Sequence, residues 1–155
     1  MARIAVISDS HGRIDNLDFF TERIGQADSL FFLGDIVEDA SKIANRLNTG
    51  FVAVRGNCDY RFDISTERIV TWHKHRILLV HGHLFSSPLA LFYKAKAENC
   101  SVVCFGHTHV PCMESKDGIL LLNPGSLSRP RSADGPSCAV LTVTEECVNA
   151  EVLLR

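Results

Sequence analysis

None of the six cysteines, Cys58, Cys100, Cys104, Cys112, Cys138 and Cys147, belongs to a CxxC pair. That excludes a zinc knuckle and a thioredoxin-like redox pair. Cys104, Cys112, Cys138 and Cys147 fall in or beside expected strands and read as small buried hydrophobes in a reducing compartment. No stretch approaches the ~20 apolar residues of a membrane span. The first apolar run, Ile4 to Ile7, is cut short by Asp9, well below the roughly 7–15 residues of a secretory h-region. A cytoplasmic protein without membrane contact is expected. Charge of one sign is lacking too: a formal net charge of −2 supplies no global basic field for nucleic-acid polymers or anionic membranes. A nucleotide substrate stays compatible, because bound cations supply positive charge locally. There are no repeats, low-complexity tracts or linkers. With 155 residues, 46% hydrophobic and 22% charged, the chain reads as one domain, 1–155, able to bury a full core.

What is present is a recurring pattern, a short apolar run followed at once by polar residues and glycine. Ile4-Ala5-Val6-Ile7 leads into Ser8-Asp9-Ser10-His11-Gly12, and Leu30-Phe31-Phe32-Leu33 into Gly34-Asp35. Phe51-Val52-Ala53-Val54 leads into Arg55-Gly56-Asn57, and Ile77-Leu78-Leu79-Val80 into His81-Gly82-His83. Val102-Val103-Cys104-Phe105 leads into Gly106-His107-Thr108-His109. Such runs suit strands buried on both faces. Helical spacing separates the early ones. Asp15 is placed to cap a helix burying Leu17, Phe20 and Ile24. Ala40, Ile43, Ala44 and Leu47 follow i, i+3, i+4, i+7 spacing, with Gly50 as the expected stop. Ser87-Pro88 opens a third helix as N-cap and N1, running to about Glu98.

The second half reads as hairpins: Arg68–Trp72 with His75–Val80, and Ala139–Val143 with Cys147–Leu153, plus a turn at Lys116-Asp117-Gly118. Val148, Ala150 and Val152 alternate with Asn149 and Glu151. The sum is an α/β fold: a two-sheet mixed β-sandwich flanked by helices, its second sheet the more antiparallel.

Open α/β sheets bind ligands at the carboxyl ends of their strands. Here those ends carry Asp9, His11, Asp35, Asn57, His81, His107 and His109. Seven ligands are too many for one tetrahedral ion and suit two ions sharing a carboxylate. Oxygen donors with imidazole, and no thiolate, suit Mn²⁺ foremost, with Fe²⁺, Zn²⁺, Ni²⁺ or Co²⁺ as alternatives. Two ions ~3.5–4 Å apart are a device for phosphoryl chemistry. Each motif alone reads as a turn; five in order, each abutting a strand, do not. Rival metal motifs fail on spacing. An HxHxDH hydrolase starting at His107 would need Asp and His where Pro111 and Cys112 stand. The Pro111-Cys112 pair lacks the second cysteine of a deaminase. A (β/α)₈ hydrolase needs ~250 residues, and neither a GxSxG elbow nor a P-loop occurs.

The series Asp9-x-His11, Gly34-Asp35, Gly56-Asn57, His81-Gly82-His83, Gly106-His107-x-His109 resembles the calcineurin-like metallophosphoesterase superfamily. Gly56-Asn57-Cys58-Asp59 and Asn123-Pro124-Gly125-Ser126 are most similar to its small prokaryotic phosphodiesterases of the YfcE type. The resemblance spans Asp9 to Arg131. It implies a two-sheet sandwich with outer helices, one metal held by Asp9, His11 and His109, a second by Asn57, His81 and His107, and Asp35 bridging both. It implies hydrolysis of a phosphoester, foremost a phosphodiester of a small molecule or nucleotide, by in-line attack of a metal-bound hydroxide. Many members carry His where Cys58 stands, to assist the leaving group or bind phosphate; a thiol is a poor proton donor to an alkoxide. His83 either compensates in part or orients its loop. Arg129 and Arg131 either contact substrate phosphate or belong to a solvated loop. The alternative of another class is a non-catalytic protein-binding scaffold, as in the retromer subunit that resembles this family. That type lacks part of the ligand set, whereas all seven positions are filled here.

Overall fold

The four-residue apolar runs become strands with no polar face because each sheet is covered on both sides. The computed structural model describes residues 1–155. Its elements run β1 (Ala2–Ile7), α1 (Leu17–Ile24), β2 (Ser29–Phe32), α2 (Asp39–Arg46), β3 (Phe51–Ala53), β4 (Glu67–Trp72), β5 (His75–Val80), α3 (Pro88–Ala97), β6 (Val102–Cys104), β7 (Cys112–Lys116), β8 (Ile119–Asn123), β9 (Ser137–Val143) and β10 (Val148–Leu154). One sheet has the order β10-β9-β1-β2-β3, the other β4-β5-β6-β8-β7.

Alternation along the strands assigns the core to three layers. Ile4, Val6 and Phe31 of one sheet meet Ile77, Leu79 and Leu122 of the other across the sandwich. Ala5, Ile7, Leu30 and Phe32 turn outward onto Leu17, Phe20, Ile24, Ala40 and Ile43 of α1 and α2. Leu78, Val80 and Val103 turn outward onto Leu91, Phe92 and Ala95 of α3. Phe31 is fully buried at the centre, and truncating such a side chain typically costs about 3–5 kcal/mol. Val148, Ala150 and Val152 pack on the inner layer, as their alternation requires.

Four details differ from the sequence reading. The sheets are equally mixed, each with two parallel and two antiparallel pairings, because the β9–β10 hairpin joins the first sheet beside β1. Asp15 does not cap α1. The chain makes a turn at residues 14–16, Asn16 precedes the helix without a side-chain cap, and its amide donates to the Leu127 carbonyl at 2.9 Å instead. Nor does Gly50 stop α2: Asn48 takes the left-handed conformation, φ 51°, two residues earlier. Among the cysteines, Cys104 and Cys138 are buried as expected, but Cys112 is half-buried on an edge strand and Cys147 is exposed in a turn. The third helix is as read, with Ser87 Oγ accepting from Ala90 N–H at 3.3 Å and Pro88 following.

Candidate metal centre

The parallel strands β1, β2, β3, β5 and β6 deliver their following loops to one end of the sandwich, and all seven expected ligands meet there. Five of them, Asp9, His11, Asp35, His107 and His109, have positive φ between 48° and 70°. Asp and His tolerate this region better than most residues. The left-handed turn reverses the chain directly after a strand, so that a side chain points back over the strand ends. Ile36, φ 72°, is the strained exception, a β-branched residue forced into this region beside Asp35.

Two groups of ligand atoms share Asp35. In the first, atoms of Asp9, His11, Asp35 and His109 lie within 4.8 Å of one another. His11 Nε2 is 3.4 Å from Asp35 Oδ2, and His109 Nε2 is 3.1 Å from Asp9 Oδ1. In the second, His81 Nε2 is 3.4 Å from Asp35 Oδ1 and 3.1 Å from Asn57 Oδ1, and His107 Nδ1 is 3.1 Å from the same Asn57 oxygen. Backbone carbonyls fix two of the rings: His81 Nδ1 donates to Leu33 O at 2.7 Å, and His109 Nδ1 donates to Arg129 O at 2.6 Å. Each then turns Nε2 toward carboxylate oxygen, the orientation that metal-binding imidazoles adopt.

The electrostatics point the same way. Burial alone would raise the Asp35 carboxyl, yet its contacts with His81, the Cys58 N–H and His11 hold it well below the usual carboxylate range. Burial would lower His81, but Asp35 and Asp9 raise it; His109 is raised by its contact with Asp9. Burial lowers His11 and His107.

An open cleft of about 460 Å³ lies over this cluster. Five of the seven ligands reach it, with Cys58, Arg129, Pro130 and Arg131 around them; Asp9 and His81 are buried beneath. The two arginines are exposed on the rim and make no side-chain hydrogen bond within the chain. Cys58 donates its backbone N–H to Asp35 Oδ1 at 3.0 Å. Burial and the Asp35 charge push its thiol up. His83 does not reach the cleft. Its ring packs 5.4 Å from that of His81 and faces a separate small cavity with Thr66 and Phe85, which suits loop packing rather than proton donation.

The sequence pattern of the calcineurin-like phosphoesterase superfamily domain matches residues 2–146. The chain belongs to that superfamily. It is 33% identical over 147 residues to the probable metallophosphoesterase YsnB of Bacillus subtilis, covering 92% of this chain and 85% of that protein. It is 32% identical to the Escherichia coli phosphodiesterase YfcE across the full length of both. Vps29 of Entamoeba histolytica, crystallised with Zn²⁺, superposes with a TM-score of 0.80 over 98% of each chain; at 20% identity this likeness concerns the fold alone. The chain is thus a metal-dependent phosphoesterase.

The donor set of this phosphoesterase fits divalent cations on its own evidence. Asp9 Oδ1 is buried and accepts no well-oriented hydrogen bond, although His109 Nε2 stands 3.1 Å away. An unpartnered buried carboxylate oxygen is costly unless a cation meets it. Asp9, His11, Asp35 and His109 are the residues best placed to hold one.

The residues that hold the ligand loops are less legible in the sequence. Asp59 accepts four backbone N–H groups, from Asp35 and Gly56 on Oδ2 and from Ile36 and Val37 on Oδ1, at 2.7–2.9 Å. It ties the Asp35 loop, including strained Ile36, to the loop carrying Asn57. Asp39 does the same for the His11 loop, accepting from Ser10 Oγ and Gly12 N–H. Asn123 donates to Gly106 O and Thr108 Oγ1, and Ser126 Oγ donates to Asp9 O. The motif residues Asp59, Asn123 and Ser126 signal the family, but nothing in their spacing reveals these bonds. Asp39 reads only as an acidic residue in a first helical turn.

Proposed function

We propose that the chain hydrolyses phosphodiesters at a dinuclear centre, with manganese the foremost metal. Asp9, His11 and His109 would hold one ion, Asn57, His81 and His107 the other, with Asp35 shared. One observation carries this reading: the two Asp35 oxygens face imidazole nitrogens of different groups, Oδ2 toward His11 and Oδ1 toward His81, each at 3.4 Å. A paired centre supplies Lewis acidity and an activated water for in-line displacement at phosphorus.

The chain's own groups govern substrate choice. Exposed Asn57 offers its amide beside the cleft floor, and Arg129 and Arg131 offer charged donors on the rim, suited to phosphate oxygens. Cys58 is the residue nearest a leaving-group role, and a thiol is a poor proton donor to an alkoxide. Diesters with good leaving groups, small molecules or nucleotides, are therefore favoured over alkyl monoesters. We assign the protein to the reducing cytoplasm, in keeping with its six unpaired thiols.

The test is metal analysis with hydrolysis of an aryl phosphodiester in Mn²⁺. Wild type should hold about two ions per chain, the two-metal stoichiometry, and Asp35→Asn should weaken both sites. A single ion per chain, or a fully loaded Asp35→Asn protein, would overturn the shared-carboxylate reading. A doubly loaded protein that hydrolyses no phosphoester would favour the scaffold alternative.

A further inference from the structure

Beside His107, on the side of α3, lies a second cavity of about 280 Å³ that differs in character from the metal cleft. The cleft wall is polar and apolar in nearly equal measure, whereas this wall, though partly built of Ser, Thr and Gly, exposes mostly apolar surface. Phe85, Leu91 and Phe105 form its apolar part. His107, in the ligand loop, borders both this cavity and the cleft. Gly82 helps keep it open, because a Cβ there would stand 3.8 Å from both Phe105 and His107. The first turn of α3 closes the far side. Ser86 stands at its exposed lip and makes no hydrogen bond within the chain.

We infer that this cavity is the subsite for one ester substituent of the substrate, and that the substituent is a planar aromatic or heteroaromatic ring. The inference rests on the phosphodiesterase reading of the adjoining centre. A phosphoryl group over the cleft needs polar, cationic surroundings, and its organic substituents do not. Small-molecule sites for whole ligands occupy about 300–1,000 Å³, so 280 Å³ suits a ring-sized part of a substrate whose phosphate sits next door. Two phenyl side chains bordering one narrow space favour a flat ring, in stacked or edge-on contact, over a flexible alkyl chain. The serine hydroxyls at the lip can meet polar edges of a heteroaromatic ring without excluding a plain phenyl.

The probes are phenylphosphonate and methylphosphonate, whose C–P bonds the enzyme cannot hydrolyse, and inorganic phosphate, each as an inhibitor of Mn²⁺-loaded wild-type enzyme. Phenylphosphonate should bind roughly tenfold tighter than methylphosphonate, equivalent to about 1.4 kcal/mol. Ser86→Trp, which fills the lip, should abolish that ratio. Phe85→Ala, which removes one wall, should lower it if the tryptophan variant fails to fold. Inorganic phosphate reports on the metal centre alone: failure of phosphate to inhibit loaded enzyme would count against the phosphodiesterase reading rather than the subsite. Equal binding of the two phosphonates to wild type, or a ratio unchanged in the folded variants while phosphate still inhibits, would overturn the subsite.

Discussion

Gly56 is the position where one added methyl group should separate activity from folding. Its φ is not positive, so alanine is conformationally acceptable there. The space is not. A Cβ would overlap Asp35 Oδ1 and lie 2.9 Å from both the Asp35 backbone nitrogen and His81 Cδ2. Asp59 pins the neighbouring backbone, so the loop cannot simply retreat: it holds Gly56 N–H at 2.7 Å and Asp35 N–H at 2.9 Å. The shared carboxylate must therefore move by about 1 Å, and a misplacement of that size around reacting groups costs on the order of 10²-fold in rate. The stability effect is smaller. Overpacking costs about 1–3 kcal/mol, offset in part by about 0.4–1 kcal/mol from the stiffer unfolded chain of a Gly→Ala variant.

The assay is kcat/KM on an aryl phosphodiester at saturating Mn²⁺, with metal content and Tm measured on the same preparation. Gly56→Ala should stay folded, lose roughly 10²-fold in kcat/KM and bind metal less tightly. Gly50→Ala is the control, since a Cβ there meets nothing within 4 Å, and it should match wild type in activity. A Gly56→Ala enzyme with wild-type kcat/KM and wild-type metal content would refute the reasoning.

Asp59→Asn keeps the side-chain shape but turns an NH₂ group toward two of the four backbone donors. Leaving buried donors unsatisfied costs about 1–3 kcal/mol each, so a metal-binding titration and thermal melt should show weaker metal affinity and lower Tm; wild-type values in both would remove Asp59 from the positioning role. Arg129→Ala or Arg131→Ala should raise KM roughly 10- to 150-fold, equivalent to about 1.5–3 kcal/mol, without displacing metal, if a charge-assisted phosphate contact is lost; steady-state kinetics unchanged in both variants would return them to solvated loop. Cys58→His should raise alkyl monoester turnover more than aryl diester turnover, within the ~10²–10⁴-fold range of general acid assistance. Assayed at equal metal occupancy, an equal change on both substrates would make Cys58 a packing residue.

The sequence carries the strand cores and the ligand set because both depend on local pattern. A run such as Ile4–Ile7 leaves no polar face, so both faces must be covered, and Asp9 must then lie at a strand end. Helix boundaries were less legible because several local signals compete. Asp15 and Asn16 are both acceptable caps, and tertiary demand for the Asn16 amide at Leu127 decided between them. Asn48 and Gly50 are both acceptable stops; the chain turns at Asn48, and residue 50 already lies in line with β3, its carbonyl accepting from Leu30 N–H. Sheet membership of β9 and β10 was hidden because hairpins pair locally, while their attachment to β1 spans nearly the whole chain. Asp59 and Asp39 were hidden for a related reason. A carboxylate that gathers backbone N–H groups from a loop more than 20 residues away looks, in sequence, like any acidic turn residue.

Those hidden carboxylates explain how the ligand loops keep their shape. Five ligands and Ile36 occupy left-handed backbone. At about 1 kcal/mol each, the lower figure for such positions, the strain is on the order of 6 kcal/mol, comparable with the stability of a whole domain at about 5–15 kcal/mol. Bonds to charged groups contribute about 1.5–3 kcal/mol apiece, and Asp59 alone accepts four. The strain is thus offset by groups outside the ligand set, which frees the ligands to be chosen for charge. Of the seven, only Asp9 and Asp35 are carboxylates. If two divalent cations were bound as proposed, these carboxylates would leave an excess of two positive charges, matching one anionic nucleophile and one monoanionic diester together. On the same proposed stoichiometry a dianionic monoester would bring one negative charge more than the site could balance. On the proposed two-ion reading, the ligand charges and the thiol at Cys58, a poor proton donor, favour the same substrate class.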